Sequence, residues 1–217
     1  IDSAGSVNTD AGFSIISYTG TGSAATVAHG LGSAPRMIII KDRSNARNWG
    51  VYHQSMGNLD AIYLDLTNAK GGNSSAFWNS TSPTSSVFSI NTRNEVNASS
   101  ANMIAYCFAE KKGFVYTGFK PAWVMIKDTT NASTNWVIYD NKRDIDNPAI
   151  IRLFPNDSLA EVSNAGVYDI DFLSNGFKIR TTNNNFNASG ATMIYACFAE
   201  NPFTTSTGVC ATARWLC

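Results

Sequence analysis

The chain has 217 residues, with 16 basic and 16 acidic side chains, and its low charged fraction is made up by Asn, Ser, Thr and Gly. A chain of this length buries roughly 70% or more of its unfolded surface, so a core needs no disulfide staples. No basic surplus exists to neutralise phosphates, which leaves nucleic acid without an electrostatic footing, and no apolar run approaches the roughly 18 residues of a membrane span.

The opening segment "IDSAGSVNTDAGF" has neither a basic start nor an apolar core, so no signal peptide is expected and the chain reads as a processed product or part of a longer one. From there the sequence repeats itself. "YTG" at 18–20 recurs at 116–118, and "PRMIIIKD" at 35–42 answers "PAWVMIKD" at 121–128. "NWGVY" at 48–52 answers "NWVIY" at 135–139, and "VFSINT" at 87–92 answers "GFKIRT" at 176–181. Finally "NASSANMIAYCFAE" at 97–110 returns as "NASGATMIYACFAE" at 187–200. The order is the same in both copies. They are unequal in one place: "TGSAATVAHGLGSA" at 21–34 has almost no counterpart in the second.

Each copy reads as strands. Phe88 and Ile90 alternate with Ser89 and Asn91, and Phe177 and Ile179 alternate with Lys178 and Arg180, the period of a half-buried strand. Turn residues punctuate the chain every eight to twelve positions, as in sandwiches. "MIII" (37–40), "WVMI" (123–126) and "MIAYCF" are apolar on both faces and need cover on both. The expectation is an all-β protein, an antiparallel β-sandwich of about twelve strands built from two repeats. It is expected to form one domain over 1–203, with repeat one at 12–110, repeat two at 113–200 and a tail at 204–217. Cover for the outer faces of Met37–Ile40 and Trp123–Ile126 is expected from long loops or from another subunit, so self-association is anticipated.

Chemistry-bearing residues are sparse. His29 and His53 have no nucleophile motif beside them and read as structural. Trp49 and Trp136, matched by the repeat, read as core; Phe77 and Trp78, beside the polar loop "NSTSPTSS", together with Trp215, are the candidates for stacking a sugar ring or plugging a subunit contact. Cys107 and Cys197 read as buried thiols, and Cys210 and Cys217 as a candidate disulfide or cross-link. Asp140, Asp144 and Asp146 in "DNKRDIDN" offer hard oxygen ligands that suit Ca²⁺, but without the EF-hand spacing or its glycine; no other cofactor is expected. Asp169 and Asp171 share a strand face at a separation that suits a glycosidase pair, although a solvated strand face is the plainer reading. Glu110 and Glu200 end the repeated strands and are expected to bond loop N–H groups. Six Asn-x-Ser/Thr sequons occur, and the "NAS" pair at Asn97 and Asn187 is read as turn chemistry rather than glycan sites.

Several stretches resemble repeats in virion proteins of tailed bacteriophages, notably marine ones: "GFSIISYTGTGSAATVAHGLGSAPRMIIIKDRS", "WGVYHQSMG", "FWNSTSPTSSVFS", "FVYTGFKPAWVMIK" and "DFLSNGFKIRTTNNNFNASGATMIYACFAENPF". The resemblance covers roughly residues 12–203 and implies a concanavalin-like (laminin-G-like) jelly roll. It further implies a structural protein of the virion, and the family supplies neither catalytic residues nor an assigned ligand. Together with the duplicated sandwich, the neutral Asn/Ser/Thr-rich surface and the lack of a catalytic set, the expectation is a non-enzymatic virion protein on a tail fibre or the capsid surface, in contact with other virion proteins and with host surface glycans. The short linker between the copies and the tail "TTSTGVCATARWLC" depart from the pattern. A secreted carbohydrate-binding adhesin and a polysaccharide-cleaving enzyme using Asp169 and Asp171 stand as alternatives.

Overall fold

The computed structural model describes residues 1–71, 75–110 and 119–200. The chain divides into two compact units, Ile1–Glu110 and Lys111–Cys217. Nearly all regular structure is antiparallel β, with thirteen strands among the described residues and three helices of four residues each.

Unit one contains β1 (Ser3–Asn8), β2 (Phe13–Thr19), β3 (Ala25–Ala28), β4 (Pro35–Asp42), β5 (Gly50–His53), β6 (Ile62–Tyr63), β7 (Val87–Ile90) and β8 (Asn102–Ala109). Its helices are α1 (Ser75–Trp78) and α2 (Asn94–Asn97). Six strands form one sheet in the order β1-β2-β8-β4-β5-β6, and β3 pairs with β7 in a separate ribbon. Ile16 and Tyr18 of β2, Ile38 and Ile40 of β4, and Met103, Ala105 and Cys107 of β8 share one core with Val27, Phe88 and Ile90 of the ribbon. The helices contribute Phe77, Trp78 and Val96 to that core. Small residues along β8 leave volume for the aromatic rings. Ile38, Ile40 and Met103 are fully buried, and each contributes about 1.5–3 kcal/mol by that burial.

Unit two contains β9 (Pro121–Asp128), β10 (Val137–Asp140), β11 (Ile170–Leu173), β12 (Gly176–Ile179), α3 (Asn184–Asn187) and β13 (Met193–Ala199). The order β10-β9-β13 repeats β5-β4-β8 of unit one, and β11 and β12 form a hairpin. Val124, Ile126, Tyr139 and Cys197 share a core with Ala149, Ile170 and Phe186. The second "YTG" lies outside the described residues.

Repeated sequence gives repeated detail. Asp42 closes β4 by accepting the Ser44 and Asn45 N–H groups at 2.8 and 2.9 Å, and Asn45 Nδ2 donates to its other oxygen at 2.9 Å. Asp128 closes β9 in the same way with Thr130, Asn131 and Asn131 Nδ2, at 2.8, 3.0 and 2.8 Å. Asn97 and Asn187 each donate Nδ2 to the carbonyl six residues upstream, at 2.7 Å. Such short polar side chains offer the backbone a turn in place of a ladder.

The copies differ in how they complete the strand before the helix. β7 takes β3 as partner, from the 21–34 segment that only copy one possesses. β12 instead takes β11, immediately upstream across a two-residue turn. The strand's polar edge must be satisfied in either case. All of Met37–Ile40 and Val124–Ile126 are buried and Trp123 is half-buried, as their two-faced apolar pattern requires.

Candidate functional site

The bulges at the starts of β4 and β9 place the residues of the candidate site. In copy one, pairing with β8 slips between Pro35 and Met37, so Arg36 is the extra residue. In copy two, pairing with β13 slips at the equivalent place and the extra residue is Ala122. A bulge re-aims the side chain it carries. Arg36 reaches Glu110 at 2.6 Å and also donates to Gln54 Oε1. By the repeat, Glu200 answers Glu110 and Asn141 answers Gln54. Ala122 carries no cation, and Lys120 reaches Glu200 at 2.8 Å instead.

A cleft of about 340 Å³ lies in unit two, lined among others by Lys120, Asn141, Ile145, Asp146, Phe172 and Glu200. Asn141 donates Nδ2 to Glu200 Oε1 at 3.3 Å, which fixes Oδ1 as the acceptor end of the amide. That oxygen is buried and meets no donor among the described residues. One wall is the loop after β10. Asp144 anchors it by accepting the Ile150 and Ile151 N–H groups at 2.6 and 2.8 Å. Asn147 accepts from Phe172 N at 2.9 Å and donates back to Phe172 O at 3.3 Å. Ile145 stands out from this loop 85% exposed, and Asp146 beside it is also exposed.

The sequence candidates fall in several places. Phe77 and Trp78 are not a binding face: both are buried, Trp78 packs edge-on to Tyr52 with centroids 5.5 Å apart, and its indole N–H donates to Asp60 O at 3.0 Å. Their polar surroundings suggested a loop, but the single turn of α1 points both rings into the core. Trp136 is buried, whereas Trp49 is half-buried and stacks on Tyr106 at 6.4 Å. Trp215, Cys210 and Cys217 lie outside the described residues.

Asp140, Asp144 and Asp146 do not converge. Asp140 accepts the Lys142 and Arg143 N–H groups at 3.1 and 2.8 Å and pairs with the Arg143 guanidinium at 2.5 Å. Burial opposes its ionised form, but the Arg143 N–H and guanidinium outweigh burial and hold its carboxyl below the usual range. No group of three or more metal-binding side chains forms among the described residues. Asp169 takes Gly166 N–H on both oxygens, at 2.9 and 2.8 Å, while Asp171 faces Arg180 at 3.1 Å. Glu110 and Glu200 pair with basic side chains rather than with the loop N–H groups expected of them.

His29 is a structural histidine. Leu31 N–H donates to Nδ1 at 3.2 Å and Nε2 lies 3.1 Å from Thr84 O, so the ring is the neutral Nε2–H tautomer. Burial lowers its pKa, against the pull of the Thr84 carbonyl. Cys107 and Cys197 are free and buried, and burial pushes each thiol up to about 12. The Asn97 side chain is fully buried and bonded to Asn91 and Ser23, which closes that sequon to a glycan.

The fold is that of an all-β protein of antiparallel sheets, in which most acidic side chains either accept backbone N–H groups of their own loops or pair with the chain's own basic side chains. The chain belongs to the family described as Domain of unknown function (DUF7483), whose model matches residues 1–202. No curated protein and no solved structure matches it.

Proposed function

We propose that the chain is a non-enzymatic structural module of a tailed-phage virion, exposed on a tail fibre, an appendage or the capsid surface. In this reading it is a concanavalin-like jelly roll of two repeats, contacts other virion proteins or further copies of itself, and touches host surface glycans. The observation that carries it is the employment of the carboxylates. Asp42, Asp128, Asp144 and Asp169 all accept backbone N–H groups of their own loops. Groups held this way rigidify a displayed surface, whereas a general acid or base needs a lone pair or proton free for substrate. The sequence resemblance to phage virion repeats supports the same reading.

Mass spectrometry and immunogold labelling of purified particles test it. The chain is expected in stoichiometric amount on the particle exterior. Its presence only in the soluble secreted fraction would favour the adhesin reading, and release of reducing ends from a polysaccharide would replace the proposal with an enzyme.

A further inference from the structure

We propose that the unit-two cleft is a binding site for a non-acidic saccharide, and that the exchange of Arg36 for Ala122 between the copies created it. The inference deepens the glycan contact of the preceding section and rests on that reading.

The argument begins with what the copies share. Each has an amide after the WxxY strand, a glutamate closing the last strand, and a bulge where the central strand starts. In copy one the bulge carries Arg36, whose guanidinium satisfies both Glu110 and Gln54 Oε1. In copy two a methyl group stands at that position. Lys120 satisfies Glu200, and Asn141 Oδ1 is left buried without a donor among the described residues. A buried acceptor without a partner costs free energy that a native structure rarely leaves uncompensated. Asn141 lines the cleft, and a ligand hydroxyl seated there is the donor this proposal assigns to it.

The rest of the lining narrows the ligand. Three carboxylates, Asp144, Asp146 and Glu200, face one ammonium, Lys120. Asp144 is occupied by backbone, whereas Asp146 is exposed and its carboxylate has no partner among the described residues, so it offers oxygens to hydroxyl donors. The balance is negative and acceptor-rich, so it favours polyols and disfavours sialic and uronic acids, since like charges brought together suppress wrong partners. Ile145, exposed on the loop, and half-buried Phe172 give apolar surface for the C–H face of a sugar ring. The loop is braced from behind by Asp144 and Asn147, so these side chains are presented on a fixed backbone.

The test is a glycan array probed with the labelled full chain, followed by calorimetric titration of the strongest hit. Binding is expected to glycans ending in neutral hexoses or N-acetylhexosamines, about tenfold or more above sialylated and uronate-bearing ones. Ala122→Arg rebuilds the arrangement of copy one and should abolish binding while leaving the thermal midpoint unchanged or raised. Ile145→Ala, at an exposed position, should weaken binding about fivefold, the loss of one apolar contact. Retained affinity in Ala122→Arg, a preference for acidic glycans, or no binding to any glycan would each overturn the proposal. Detection of the chain on particles is independent of all three results, so failure of the site and failure of the virion reading are distinguishable.

Discussion

Replacing Trp78 separates a core residue from a binding residue. The side chain is 1% exposed, packs against Tyr52 and Phe77, and donates its indole N–H to Asp60 O. Trp78→Ala removes the largest side chain of the unit-one core and strands a carbonyl, at a cost of about 3–5 kcal/mol. For a chain of this size each kcal/mol lowers the melting midpoint by about 2–4 °C, so the fall should be about 6–20 °C. Trp78→Phe keeps an aromatic ring against Tyr52 and loses the hydrogen bond, costing about 1–2 kcal/mol. Scanning calorimetry and urea titration of wild type and both variants give the numbers. A Trp78→Ala protein that melts within about 1 °C of wild type while losing affinity for a glycan would refute the reasoning, because only an exposed ring behaves that way.

Asp42→Ala and Asp128→Ala each remove three hydrogen bonds from equivalent turns and should cost about 1–3 kcal/mol apiece by urea titration; a loss in only one copy would break the equivalence. His29 makes stability depend on pH. Its folded pKa lies below the ordinary 6.5, so its contribution is complete above that value and is lost as pH falls from 6.5 towards the folded pKa. His29→Gln should flatten that part of the urea-midpoint profile between about pH 7.5 and 5, and an unchanged slope would contradict the assignment. Cys107 and Cys197 should resist alkylation in the native protein at pH 8 and react fully in urea, as read by intact mass; rapid native labelling of Cys107 would count against its burial.

The duplicated segments of the sequence marked where each copy places its central strands, because a strand apolar on both faces has few places to go. "PRMIIIKD" and "PAWVMIKD" became β4 and β9, and the two "CFAE" segments closed β8 and β13 beside them. Burial of the two cysteines was legible for the same reason. Trp78 was not, because a single turn of helix among serines leaves no periodicity, and only packing decides which way its rings face. The partner of the strand before each helix was likewise invisible: copy one uses β3 and copy two uses β11, a choice made by which segment can reach the open edge. The cleft depended on tertiary structure most of all. The sequence brought Glu200 to notice as the end of a repeat, but the shift of one residue at a bulge put Ala122 where copy one has Arg36. Lys120, Asn141, Ile145 and Asp146 became neighbours only when the loop after β10 folded back beside that bulge, and no spacing in the sequence encodes a contact between a strand start, a loop and a strand end.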